Sequence, residues 1–226
     1  MLAERAAPLY PMNLVILFLG VIALAIVAGY LSGGRLRGFE RLELRWWWLA
    51  PLGLALQAVP LPNARGGTDL AVRIAVLSLS YVLLLVFAGR NIRIAGVSLV
   101  MIGLASNMLV IGVNGGMPVS KHALEASGQA DLLQVLLRDE GAKHHLMTPA
   151  DHLTPLGDVI PIGSPIKQVV SVGDVFVYAG LTWLIIAVMR ERTRGIGRPP
   201  EAEQYRGKHR PGSAAQADPA SPLPPA

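Results

Sequence analysis

The chain has 226 residues, of which 52% are hydrophobic and only 15% charged. Soluble domains carry about 25% charged residues, so the deficit points to a lipid environment. Cysteine is absent, which excludes disulfides, zinc–thiolate sites, iron–sulfur clusters and thiol nucleophiles. The formal charge is +5, and the placement of the basic residues directs it to a membrane surface, not to nucleic acid.

Residues 1–12 form a short leader to the first apolar run. Asn13 to Leu31 carries no charge in 19 residues. At a rise of 1.5 Å per residue this crosses a hydrocarbon core of about 30 Å. Its apolar stretch exceeds the 7–15 residues usual for a cleaved signal, so a retained helix is expected. The second expected span, Trp46 to Leu61, is shorter and holds Pro51 and Pro60. Its three leading tryptophans read as an interfacial anchor. Spans three and four run from Leu70 to Ala88 and from Ile92 to Val113, with Arg73 near one end, where its stem can snorkel. The fifth runs from Val172 to Met189.

Basic residues alternate between the connections. Four arginines fall between spans one and two, two between spans three and four, and seven Lys or Arg follow span five. The other side holds Arg5, Arg65 and four basic residues spread across 114–171. The positive-inside rule then places the N-terminus outside, the tail in the cytoplasm, and 114–171 outside. The tail, 191–226, is basic and rich in Pro and Ala, a composition expected to stay disordered. Its arginines are sparse and no aromatics are interleaved with them, so no nucleic-acid partner is expected.

The segment 114–171 is the one external stretch large enough to hold a site. Asn114-Gly115-Gly116 can stop a helix, and Met117-Pro118 forces an extended exit. Ser120 is placed to cap a short helix ending at Gly128. A second helix is expected from Ala130 to Glu140, with Leu132, Leu133, Leu136 and Leu137 on its apolar side and Gly141 closing it. Val159 to Ile166 is apolar but broken by Pro161, Gly163 and Pro165. It reads as an interfacial or re-entrant turn. Ser171 and Asp174 have the spacing of a capping box at the start of span five. The fold expected is therefore an all-α membrane bundle of about five transmembrane helices: four within 13–113, a partly helical external cap over 114–171, and the fifth over 172–190.

The ordered motifs "NGGMPVS", "KH" with "LMTP", "LGDVIP" and "SVGDVFVYAG" resemble a family of bacterial integral membrane proteins known only as a domain of unknown function. The resemblance covers about 13–190. It implies an uncharacterised multi-span protein of the bacterial inner (plasma) membrane and carries no activity with it. By that match the signature positions are Asn114, Gly115, Gly116, Met117, Pro118, Lys143, His144, Gly157, Asp158, Pro161, Gly173 and Asp174. Either His144 or His145 fills the family's single histidine place.

Four of the five histidines, His122, His144, His145 and His152, fall in the external segment with Asp151 and Asp158. Their spacing matches no metal motif, so no metal and no cofactor is expected. Asp158 sits between Gly157 and an apolar turn, where a buried carboxylate needs a partner. Lys143 and His144 are the nearest candidates. Such a pair would lock the cap to the helices, or serve as acid and base. There is no G-x-S-x-G elbow, Walker loop or Rossmann fingerprint. Gln57, Ser78, Ser80, Asn107 and Thr182 read as interhelical hydrogen-bonding residues, which argues against ion-coupled transport.

Three functional readings follow. The first is a non-enzymatic component that binds a ligand or partner, with Asn114, Gly115, Gly116, Met117 and Pro118 shaping a rim and Lys143, His144, Asp158 and Asp174 supplying polarity. The alternative is a membrane-embedded enzyme acting on a lipid-linked substrate, with Asp158 and His144 as catalytic acid and base. An assembly subunit bound to another membrane protein, or to a second copy of the chain, is the third. The lipid bilayer is a partner in every case.

Overall fold

The computed structural model describes residues 9–59, 68–138 and 143–194. Readings that fall on the first residues, on Pro60, Leu61 and Arg65, on Glu140 and Gly141, and on the tail beyond 194 lie outside them. The chain is mostly helical. Among the described residues four helices are long and apolar enough to cross a membrane: α1 (Leu9–Leu31), α3 (Thr68–Arg90), α4 (Val97–Asn114) and α7 (Val172–Arg194).

The second expected span is shorter than anticipated. Only α2 (Leu49–Ala58), ten residues, is helical there. Trp46 has a left-handed backbone at φ 54°, so the tryptophans form a turn. At the other end Val59 is extended, as a residue before proline prefers. Ten residues reach about 15 Å, half the hydrocarbon thickness. This helix lies along α3: the Ser80 hydroxyl donates to the Gly53 carbonyl at 2.8 Å. The same pairing is held lower down by Asn91, which is buried. Its Oδ1 accepts from the Arg45 backbone N–H at 2.8 Å, and its Nδ2 donates to the carbonyls of Arg45 and Phe87. Asn91→Ala strips a buried turn of three bonds. We expect it to lower stability by about 2 kcal/mol in denaturant titrations in detergent, with no change in membrane association.

Helices α4 and α7 cross at glycines. Gly103 faces Gly173 and Gly96 faces Gly180, so a Cβ at any of the four would lie within 2.6 Å of an atom on the other helix. Small residues at matching seven-residue intervals let the two backbones touch. Helix α1 packs on α7 through Ala25, Ile185 and Met189, and Gly29 and Gly34 make room for Met189.

The segment after α4 corrects the all-α expectation: it contains a small four-stranded sheet. Asn114 ends α4 and Gly115 follows in the left-handed region at φ 71°. Then come β1 (Met117–Val119), α5 (Lys121–Ser127), α6 (Leu132–Arg138), β2 (His144–Leu146), β3 (Asp158–Ile162) and β4 (Gln168–Ser171). The sheet order is β2-β1-β3-β4. Strand β1 runs parallel to β2 and β3, and β3 runs antiparallel to β4. The expected interfacial turn at Val159–Ile166 is therefore half of a hairpin. Its first half pairs with β4, with Pro161 opposite Val169. Ser120 caps α5 through the Ala123 N–H, and Gly128 closes it. Helix α6 starts at Leu132, two residues later than expected. Leu132 is buried in a cluster with Val119, Ala123, Leu124 and Val169, against which Leu133 and Leu136 pack; Leu137 is exposed.

Arg73 lies near the start of α3, the end at which the sequence places it. It is buried, and its Nη2 lies 3.4 Å from the Gly115 carbonyl. There the guanidinium meets the negative end of the α4 dipole.

Candidate functional site

Strand register brings two of the signature residues together. On β1, Met117 pairs with His144 of β2, and Val119 pairs with Asp158 of β3. Met117 and Val119 are two apart, so their partners leave the sheet on the same side. The His144 Nε2 consequently lies 3.6 Å from the Asp158 Oδ2. That is longer than a good hydrogen bond.

Both groups line a cavity of about 120 Å³ beneath the sheet. Lys143 and Asp174 also line it, as do Gln57 of α2, Tyr81 of α3, Asn107 of α4 and Gln168 of β4. Polar side chains thus converge from every layer of the fold. The Lys143 Nζ meets the Gln57 Oε1 at 3.4 Å. The Gln168 Oε1 is buried without a hydrogen-bond partner.

The Asp174 carboxylate is anchored. Its Oδ2 accepts from the Ser171 N–H and the Ser171 Oγ accepts from the Asp174 N–H, both at 3.0 Å, which is the reciprocal capping box. Its Oδ1 accepts from the Asn107 Nδ2 at 2.8 Å, and the Ser171 hydroxyl donates to the Asn107 Oδ1 at 2.9 Å. The closed ring of Asn107, Ser171 and Asp174 is possible because Gly173 offers no Cβ; one there would meet the Asn107 Oδ1.

Electrostatics set Asp158 apart. Burial, and then the Asp174 charge, push its carboxyl well above the ordinary carboxylate range, against the pull of Lys143. Burial pushes the Lys143 ammonium down, opposed by Asp174 and Asp158. His144 falls to about 3 through burial, with Lys143 and His145 adding repulsion. The surroundings thus favour the neutral form of both members of the Asp158–His144 contact.

The rim residues do something else. Asn114 donates from Nδ2 to the carbonyls of Val110 and His152, and its Oδ1 accepts from the His152 N–H. It staples the loop before β3 to the end of α4. Of the five-residue run 114–118, Met117 alone reaches the cavity. Gly115 and Gly116 shape the turn, and Pro118 is buried in β1 against Gly157. His145 pairs separately with Asp151 at 2.9 Å. Burial alone would raise the Asp151 carboxyl, but the Thr148 N–H and His145 hold it below its usual value. Among the described residues no group of three or more His, Asp or Glu is placed to hold a metal ion.

Sequence reasoning assigned Gln57 and Asn107 to helix packing and passed over Tyr81 and Gln168. One signal was available. Gln57, Tyr81 and Asn107 are polar groups in three successive apolar runs.

A curated protein of Thermotoga maritima, described only as uncharacterized, is 34% identical over 127 residues, covering 55% of this chain and 70% of that protein. No solved structure matches the chain at a significant level. A family model described as a family of unknown function (DUF5317) matches residues 41–186. That range encloses every polar side chain of the cavity, and the chain belongs to this family.

Proposed function

We propose that the chain is an integral protein of the bacterial plasma membrane whose cap-covered cavity binds a small polar ligand. In this reading the apolar helices span, the shorter α2 marks a fifth crossing, the N-terminus and the cap face outward, and the tail is cytoplasmic. The exposed apolar side chains of α1, among them Leu19, Leu24 and Leu31, meet lipid or a neighbouring membrane protein.

The convergence of Gln57, Tyr81, Asn107, Lys143, Asp158 and Asp174 on one cavity carries the proposal. Fold stability alone does not call for it, because buried charges cost more than the apolar packing that could replace them. The buried Gln168 Oε1 supplies an acceptor with no donor among the described residues.

The test is native mass spectrometry of protein purified in mild detergent. Wild type should retain a small molecule, and Asp158→Asn should lose it by roughly tenfold, as expected when one buried hydrogen bond to the ligand is removed. Equal retention by the two proteins would remove the proposal.

One observation favours a second reading as an enzyme on a lipid-linked substrate: Asp158 and a histidine face the same cavity 3.6 Å apart, close enough to tighten into a proton-transfer pair when substrate binds. His144→Gln separates the two. It should leave ligand retention within a few-fold under the binding reading and abolish turnover under the catalytic one.

A further inference from the structure

A second cavity, of about 370 Å³, lies at the opposite end of the helices. It is lined by Arg41, Leu42, Glu43, Arg93, Ile94 and, on α7, Ala187 and Val188. Its walls are fixed. The 3-10 turn Leu36–Arg41 is held to α7 by the Arg35 N–H, which donates to the Met189 carbonyl at 2.8 Å, and by Gly38, which packs directly on the Val188 carbonyl. The turn before α4 is pressed on α7 at Gly96 against Gly180. Asn91 bonds both backbone groups of Arg45 and so ties the two walls to each other.

Three features describe what would fit. Two arginines stand against one glutamate at the lining, and among the described residues neither guanidinium has a hydrogen bond or ion pair. The remaining lining is aliphatic, suited to carbon and not to a hydrated ion. In the spanning reading the cavity also sits at headgroup depth. Trp46, Trp47 and Trp48 follow its wall directly and are exposed, as interfacial indoles are, and Arg90 stacks over the Trp46 ring at 4.0 Å.

We propose that this cavity seats the phosphate of an anionic phospholipid, gripped by Arg41 and Arg93, with the glycerol carbons against Leu42, Ile94 and Val188. The inference rests on the reading that the helices span a bilayer, and a carbonate wash tests that reading by itself.

The test uses the full chain, delipidated in detergent, titrated with phosphatidylglycerol, phosphatidylcholine or inorganic phosphate and read by native mass spectrometry. Wild type should hold phosphatidylglycerol at least tenfold more tightly than phosphatidylcholine. The double variant Arg41→Ala/Arg93→Ala should lose roughly thirtyfold, the loss expected of two headgroup-level arginines. Glu43→Gln should tighten binding, a gain that damaged folding could not produce. Arg37→Ala, on the same 3-10 turn but outside the cavity, should change little. The proposal is overturned if Arg37→Ala weakens binding as much as the double variant, since the effect would then be diffuse charge. It is equally overturned if inorganic phosphate displaces the lipid at matched concentration, since the site would then take free anions.

Discussion

Replacing Gly103 by alanine should destabilise the protein by about 3 kcal/mol, although alanine is the better helix former by nearly 1 kcal/mol. The added Cβ would fall 2.3 Å from the Gly173 carbonyl and 2.9 Å from the Val177 nitrogen. Both obstacles are backbone and cannot rotate aside, so α4 and α7 must move apart. Parting them breaks the Asn107–Asp174 bond at 2.8 Å and the Ser171–Asn107 bond at 2.9 Å, and the polar ring beside the cavity opens. Gly112→Ala is the control in the same helix. A Cβ there meets nothing within 4 Å, and the change should be neutral or slightly stabilising. Denaturant or thermal midpoints in detergent decide the matter. If Gly103→Ala is as stable as Gly112→Ala, the glycine crossing does not hold these helices together.

That crossing shows how far the residues alone could be read. Nearly charge-free runs located four membrane-length helices to within a few residues, because exclusion of charge from hydrocarbon is a strong local signal. Local hydrogen-bonding devices were legible too: the Ser171–Asp174 box and the Ser120 cap each lie within four residues of chain. The sheet was not. Its strands are three to five residues long, too short for an alternating pattern. The parallel partners of β1 come from more than twenty residues downstream, so each pairing is invisible until α5 and α6 fold back. Pro161 and Pro165 added the appearance of an irregular turn. The cavity was half legible. Asp158 and His144 stood out because ionisable groups near apolar turns need partners. Gln57, Tyr81 and Asn107 did not, because a polar residue in a span looks the same whether it bonds a neighbouring helix or faces an enclosed space. The register of α2 along α3, set by Ser80 on Gly53 and Asn91 on Arg45, decides between those, and register is a tertiary property.

Asp158 and His144 should tilt the pH dependence of stability in opposite directions, and single substitutions should expose each tilt. The folded-state pKa of Asp158 is raised above its ordinary 3.8. The native state therefore holds this proton more tightly than the unfolded chain does. Its contribution is fully present below pH 3.8 and is lost as pH rises through the raised value. His144 is depressed from 6.5 to about 3. Its contribution is present above pH 6.5 and is lost as pH falls toward 3, an effect on the order of 3 kcal/mol across that window. Between pH 3.8 and 6.5 the two therefore oppose each other, and wild type should be flatter there than either variant. Asp158→Asn removes the loss on the alkaline side. Its melting midpoint should exceed that of wild type above neutral pH and fall steeply on acidification. His144→Gln leaves the carboxyl uncompensated, and its midpoint should decline as pH rises from 3.8. The double variant should be nearly flat in this window, apart from titrations such as that of Asp151 that all four proteins share. Melting curves of the four proteins between pH 3 and 9 settle the point. Parallel curves for wild type and both single variants would mean that neither group is desolvated, and the cavity beneath the sheet would then have to be open to bulk water.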